Sequence, residues 1–153
     1  MTDCYCGSGK RYIDCCQPVH QQHQQAETAE QLMRARYSAY CIANDAFIIS
    51  THKADKVPTR EELQTIFDNT HWLGLTIYQA NSIDANHAQV EFCAWFKDKP
   101  SNKLDGLRER SDFVRHEGLW YYTSGQQRTP QPPGRNDSCV CNSGKKFKKC
   151  CGR

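Results

Sequence analysis

Eight of the ten cysteines stand in two groups of four. Residues 4–16 read Cys-Tyr-Cys-Gly-Ser-Gly-Lys-Arg-Tyr-Ile-Asp-Cys-Cys, and residues 139–151 read Cys-Val-Cys-Asn-Ser-Gly-Lys-Lys-Phe-Lys-Lys-Cys-Cys. Seven of these thirteen positions are identical and the spacing is the same, so the segment is an internal repeat. Zinc takes four soft ligands in a tetrahedron, and each copy offers four thiols within thirteen residues. The expected ligands are Cys4, Cys6, Cys15 and Cys16 in the first site and Cys139, Cys141, Cys150 and Cys151 in the second, for two zinc ions per chain. Four protein thiolates leave no open coordination position, so such sites are structural and not catalytic. Free or redox-active thiols, disulfides and another metal are the alternatives. If only one member of Cys15-Cys16 ligates, His20 or His23 is close enough in sequence to complete the first site. The second site has no such histidine nearby.

The spacing also says how a knuckle would be built. Gly9 and Gly144 can adopt positive φ where the chain reverses. Ser8 and Ser143 are expected to cap a short helical turn that delivers the adjacent cysteines. Lys10, Arg11, Lys145 and Lys146 would offset the charge of a four-thiolate centre.

The elements that position these clusters must come from 153 residues, enough for one ordinary domain with short appended modules. No apolar run reaches the length of about 18 residues that a membrane span needs. The N-terminal residues carry no basic and apolar signal pattern, so the expected compartment is cytoplasmic and reducing, which favours metal over disulfides. Leu32, Ala35, Ala39, Ile42 and Ala46 recur at helical steps, with Met33, Tyr37, Tyr40 and Ala43 widening the stripe. Thr28 is its expected N-cap, Asn44-Asp45 its break, and residues 46–50 a further short turn. Thr59 and Glu62 form a capping box that opens a helix over 60–68. Strands are expected around Trp72–Tyr78, Ala88–Phe96, Leu107–Arg115 and Trp120–Tyr122, the last two joined by a tight turn at Glu117-Gly118. Helices followed by antiparallel strands define an α+β fold with helices on one side of a sheet. The Gln- and His-rich stretch 17–25 reads as a loop, by default a solvated linker, or as a ragged lead-in to the next helix, and 126–137, with Pro130, Pro132 and Pro133, as a semi-extended linker. The organisation is therefore a zinc module over 1–17, a main domain over 27–125, a linker over 126–137 and a second zinc module over 138–153. Cys41, Cys93, Trp72, Trp95 and Trp120 read as core residues.

Cys4-Tyr5-Cys6-Gly7-Ser8-Gly9-Lys10-Arg11-Tyr12 with Cys15-Cys16 resembles the SEC-C zinc motif, as does Cys139-Val140-Cys141-Asn142-Ser143-Gly144-Lys145-Lys146-Phe147 with Cys150-Cys151. In the preprotein-translocase ATPase that motif binds zinc and contacts an export chaperone, and its last ligand is usually histidine. Cys16 and Cys151 stand in that place here, and Asn142 replaces the usual glycine. Leu32-Met33-Arg34-Ala35-Arg36-Tyr37-Ser38-Ala39-Tyr40, Thr70-His71-Trp72-Leu73-Gly74-Leu75, Glu109-Arg110-Ser111-Asp112-Phe113-Val114-Arg115 and Gly118-Leu119-Trp120-Tyr121-Tyr122 extend the resemblance to the UPF0225 or YchJ-like family. That resemblance implies an NTF2-like cone, N-terminal helices wrapped by a strongly curved antiparallel sheet, flanked by SEC-C modules. It implies no particular activity.

Three functions are weighed. Residues 135–153 carry Arg135, Lys145, Lys146, Lys148, Lys149 and Arg153 against Asp137, a net +5, whereas residues 27–134 are net −2. A basic surface on Lys145, Lys146, Lys148 and Lys149 suits a protein partner with an acidic surface, so the chain reads first as an interaction or adaptor module. The second reading is a small-molecule site or enzyme using an NTF2-like pocket, with Tyr37, His71, Arg110, Asp112 and Tyr122 as candidate residues. Strand alternation puts Glu109 and Ser111 on one face and Arg110 and Asp112 on the other, and only the inward face can line a pocket. The third reading is nucleic acid or ribosome binding, with Phe147 among the C-terminal lysines for stacking and phosphate contact. No sequence feature identifies a reaction.

Overall fold

The computed structural model of the chain describes residues 3–153. Four helices come first: α1 (Cys16–Gln21), α2 (Ala29–Cys41), α3 (Asp45–Ser50) and α4 (Arg60–Asn69). Four strands follow: β1 (Thr70–Asp84), β2 (His87–Asp98), β3 (Leu104–His116) and β4 (Leu119–Arg128). They pair antiparallel in the order β1-β2-β3-β4. This is the expected α+β layout, with α2 packed on the sheet and cysteine-rich modules flanking it. The pairing gives an open sheet whose edges are β1 and β4, a coarser description than a strongly curved cone.

Local chemistry accounts for the boundaries. The Thr28 hydroxyl accepts the Gln31 N–H at 3.1 Å and starts α2. Thr59 and Glu62 exchange both bonds of a capping box, each 3.1 Å, and start α4. Asn44 accepts the Phe47 N–H at 3.2 Å, so the expected turn after the break is a capped helix. Glu117 and Gly118 both have positive φ, 51° and 81°, as a two-residue hairpin turn requires.

Two stretches read as linkers are more ordered than their composition suggested. Residues 17–25 form most of α1 and a 3₁₀ turn at His23–Gln25. Val19 is buried there, and both imidazoles are half-buried. His20 bonds the Tyr12 hydroxyl and the Ala35 carbonyl, both at 2.7 Å, and His23 Nε2 bonds the Trp120 carbonyl at 2.6 Å. Polar side chains that find buried partners do not need solvent, which is why composition misled. At the other end, β4 runs to Arg128 and takes the first residues of the expected 126–137 linker.

The sheet separates two hydrophobic clusters. Ala88, Val90, Phe92 and Ala94 alternate toward the helices and join Leu32, Ile48, Leu63 and Phe113 in the main core. Cys93 and Trp95 face the other way and form a smaller cluster with Cys139 and Val140. Between Trp72 and Gly74 the β1–β2 register shifts by a bulge. A bulge breaks strict alternation: Trp72 and Leu75, three residues apart, both pack on the main core, while Leu73 packs on the outer cluster. Any Cβ at Gly74 would overlap the Val140 carbonyl, so glycine lets the C-terminal module sit directly on β1. No helix among the described residues is long and apolar enough to cross a membrane.

Candidate metal centres and the neighbouring cavity

Each cysteine group is closed by the same short-range bonds. Cys4 N–H donates to the Lys10 carbonyl and Cys139 N–H to the Lys145 carbonyl, both at 2.8 Å. Gly7 and Asn142 turn the chain with φ of 77° and 62°, so Asn142 takes the left-handed conformation its glycine counterpart takes. Gly9 and Gly144 repeat it at 85° and 83°, as expected. Ser8 and Ser143 do not cap the following 3₁₀ turns, which have no side-chain cap. Their hydroxyls instead accept the Lys10 and Lys145 N–H groups at 3.2 and 3.3 Å. They also approach the Cys15 and Cys150 sulfurs at 3.2 and 3.5 Å.

Adjacent cysteines would point apart on an extended strand. Cys15 (φ −125°, ψ −92°) and Cys150 (φ −135°, ψ −112°) share a bent backbone that brings both sulfurs of each pair to one centre. The four sulfurs of each group lie within 4.8 Å of one another. Sulfurs on a zinc tetrahedron with ~2.3 Å bonds stand about 3.8 Å apart. Cys6–Cys15 is 3.7 Å, Cys15–Cys16 4.0 Å and Cys141–Cys150 3.5 Å. The donor set and spacing therefore fit a tetrahedral metal ion. His20 and His23 are engaged elsewhere and complete neither group.

The clustered thiols also perturb one another. Bonds from the Cys16 and Cys4 side chains hold the Cys6 thiol far below its ordinary range, and the bonds to Cys4 and Cys6 push Cys16 upward. The Ser143 hydroxyl, with Cys141, brings Cys150 down to about 6, while burial pushes Cys151 up. Clustered thiols cannot all ionise without a cation between them. Around the first group, Arg34 of α2 donates to the Cys6 carbonyl at 2.9 Å and to Glu30 at 3.0 Å. The Ser38 hydroxyl lies 3.7 Å from the Cys4 sulfur. The two knuckles approach one another: a Cβ at Gly7 would lie 2.5 Å from the Asn142 amide nitrogen.

A cavity of about 360 Å³ lies between α2, α4 and the inner face of the sheet. Of the candidate pocket residues, Tyr37 and Tyr122 line it. His71, Arg110 and Asp112 do not. His71 lies on the exposed side of β1, between the lining residues Thr70 and Trp72. Arg110 bonds Gln126 at 2.9 Å, and Asp112 bonds Gln89 at 2.8 Å, both on the outer face. Alternation makes Glu109 and Ser111 the inward pair. Glu109 accepts the Ser111 hydroxyl at 2.8 Å and the Tyr122 hydroxyl at 2.7 Å. Burial, then this bond, pushes the Tyr122 phenol upward.

Arg36 and His52 complete the polar lining, and sequence reasoning missed both. Buried Arg36 donates to the Ile48 carbonyl at 2.9 Å and the Thr51 hydroxyl at 2.7 Å, and its guanidinium sits 4.8 Å over the Tyr122 ring. Burial lowers its pKa. Its spacing was a usable signal, because Arg36 is three residues from Met33 and four from Tyr40, on the apolar stripe. His52 stacks edge-on against Tyr122 at 4.9 Å, and burial and Arg36 lower its pKa. No periodicity marks it.

The comparisons with known proteins agree with this architecture. Residues 28–125 match the model of the YchJ middle NTF2-like domain, and residues 135–153 match the SEC-C motif. The chain is 43% identical to a UPF0225 protein of Shewanella sp. strain MR-4, over 97% of this chain and 95% of the relative. It is 42% identical to a UPF0225 protein of Serratia proteamaculans, over 98% and 97%. A solution structure of a SEC-C motif containing protein from Rhodopseudomonas palustris superposes with a TM-score of 0.73 at 29% identity, covering 82% of this chain and 98% of that one. A crystal structure of a SEC-C motif containing protein from Psychrobacter arcticus gives 0.65 at 31% identity, covering 97% and 94%. The class is thus an NTF2-like domain carrying a SEC-C module. Within that class, the chain belongs to the UPF0225/YchJ-like family.

Proposed function

We propose that both cysteine groups hold structural zinc, and that the protein is an interaction module presenting its basic C-terminal knuckle to an acidic protein surface. Cys4, Cys6, Cys15 and Cys16 would hold one ion and Cys139, Cys141, Cys150 and Cys151 the other. Zinc would supply cross-linking of the chain and no open position for a reaction. The convergence of four sulfurs within 4.8 Å in each group carries the metal assignment. The basic surface supports the partner assignment. Lys145, Lys146 and Lys149 are exposed, and among the described residues no acid pairs with them or with Lys148. Phe147 favours protein over nucleic acid, because it is half-buried against the outer cluster and is not free to stack on a base.

Native mass spectrometry of the reduced protein tests the metal: two zinc ions per chain are expected, and a folded metal-free chain rejects the assignment. Cross-linking tests the partner. An acidic protein captured by the wild type should be lost on charge reversal of Lys145, Lys146, Lys148 and Lys149 to Glu with zinc content unchanged. Equal capture by that variant rejects the basic surface. Tight, steeply salt-dependent binding of a single-stranded oligonucleotide would replace the protein partner by nucleic acid.

A further inference from the structure

We infer that the inner cavity is a binding site for a neutral, flat, largely apolar small molecule carrying one hydrogen-bond acceptor. The volume of about 360 Å³ is in the range of small-molecule sites. Its body is apolar and aromatic, with Met33, Tyr37, Tyr40, Trp72, Phe92 and Leu107 on its walls. Flat partners suit such walls, since Tyr37, Tyr40 and Phe96 already meet Trp72 edge-on at 5.6–5.9 Å.

Two polar atoms call for an occupant. The Trp72 indole N–H and His52 Nδ1 are buried and have no hydrogen-bond partner. Both residues line the cavity. Trp95 and Trp120, in contrast, donate to Thr76 and to the Glu27 carbonyl at 3.0 and 3.2 Å. A buried donor without an acceptor is costly. An indole N–H can only donate, so the group it lacks is an acceptor; the nitrogen itself is closed off, and a small turn of the Trp72 ring would bring it to an occupant of the cavity that the same residue lines. Charge sets the remaining property. Arg36 and Glu109 are both buried, both line the cavity, and both engage Tyr122, one over its ring and the other at its hydroxyl. Their opposite charges balance. An ionised ligand would leave an uncompensated buried charge, so a neutral one is favoured. Ile66, half exposed at the rim, is the apolar approach.

The test uses the full-length, zinc-loaded, nitrogen-15-labelled protein and three probes with one aromatic body: 2-acetylnaphthalene, naphthalene and 2-naphthoate. The three indole N–H signals are read by NMR. 2-Acetylnaphthalene should shift the Trp72 signal saturably and leave Trp95 and Trp120 nearly unmoved. Naphthalene, without an acceptor, should bind about fivefold to tenfold more weakly, and 2-naphthoate more weakly than the ketone. Trp72→Phe keeps an aromatic wall and removes the donor, so it should erase the difference between ketone and naphthalene. Ala94→Leu should fill the cavity and abolish binding of all three, with the Trp95 and Trp120 signals reporting an intact fold. Saturation by none of the probes overturns the site. Equal binding of ketone and naphthalene to the wild type overturns the acceptor, and tightest binding of 2-naphthoate overturns the neutral ligand; both readouts stand even if a variant fails to fold.

Discussion

Three of the four N-terminal thiols, Cys4, Cys6 and Cys16, are buried in the main core, whereas Cys139 alone of the C-terminal four is buried. The turns are the same in both copies, down to the bent backbone of Cys15 and Cys150. Seating makes the difference. The first knuckle rests on α2 through Arg34 and Ser38, and its Tyr12 hydroxyl meets His20, which reaches back to Ala35. The second rests on a small cluster outside the sheet, and Phe147 in the place of Tyr12 has no hydroxyl to anchor it. Thirteen residues therefore specify a knuckle, but its neighbours decide whether it belongs to the core. The copy that carries three exposed lysines, Lys145, Lys146 and Lys149, against Lys10 alone in the first, is the loosely seated one.

That contrast can be broken most sharply at the ligands. Cys6→Ser should lower zinc content from two ions to one and destabilise the whole domain by about 3 kcal/mol or more, about 6–12 °C in Tm. Cys141→Ser should lose one ion too, yet leave amide exchange in β2 and β3 near wild-type rates, loosening residues 138–153 and uncovering the Cys93 and Trp95 side chains beneath them. Equal global losses in the two variants would show that seating does not matter. The next largest effect is expected at Gly74. Gly74→Ala must push the Val140 backbone away from β1, so the Trp95 indole should gain solvent exposure while the first zinc stays bound. A smaller change is expected from Arg34→Met, which removes the bond to the Cys6 carbonyl. It should weaken zinc at the first site by about tenfold in a chelator competition and leave the second unchanged.

The smallest effect concerns acid. Burial lowers the His20 pKa, outweighing the Ala35 carbonyl bond that raises it. The unfolded chain then binds more protons than the native one once pH falls below the ordinary histidine value near 6.5. His20 therefore costs stability as pH drops through that value toward its lower native pKa, and costs nothing above it. His20→Gln should be less stable at neutral pH but lose less further stability between pH 6.5 and 5 than the wild type, by denaturant titration. Parallel slopes would remove His20 from the acid response.

Helices α2 and α4, the strands and both cysteine groups were legible because each rests on short-range chemistry: caps at Thr28 and Thr59, alternation along β2, and ligand spacing. What escaped the sequence depends on tertiary partners. Gln and His between residues 17 and 25 look solvated until the Ala35 and Trp120 carbonyls are seen beside them. Alternation divided β3 into two faces but did not say which one turned inward. The cavity therefore carries Glu109 and Ser111, not Arg110 and Asp112. Arg36 was hidden by its own chemistry, since a charged residue on an apolar stripe reads as an interruption until Thr51 and Ile48 are found to receive it.

The bond from His23 to the Trp120 carbonyl joins residues 97 positions apart, and the Trp120 indole returns to Glu27 across 93. A growing chain makes its first knuckle and the α2 beneath it early, but the segment between them, at His23 and Glu27, is pinned only by the last strand. The N-terminal thiols thus pass through synthesis locally assembled and globally unprotected, and early capture of metal would shield them from oxidation until β4 emerges.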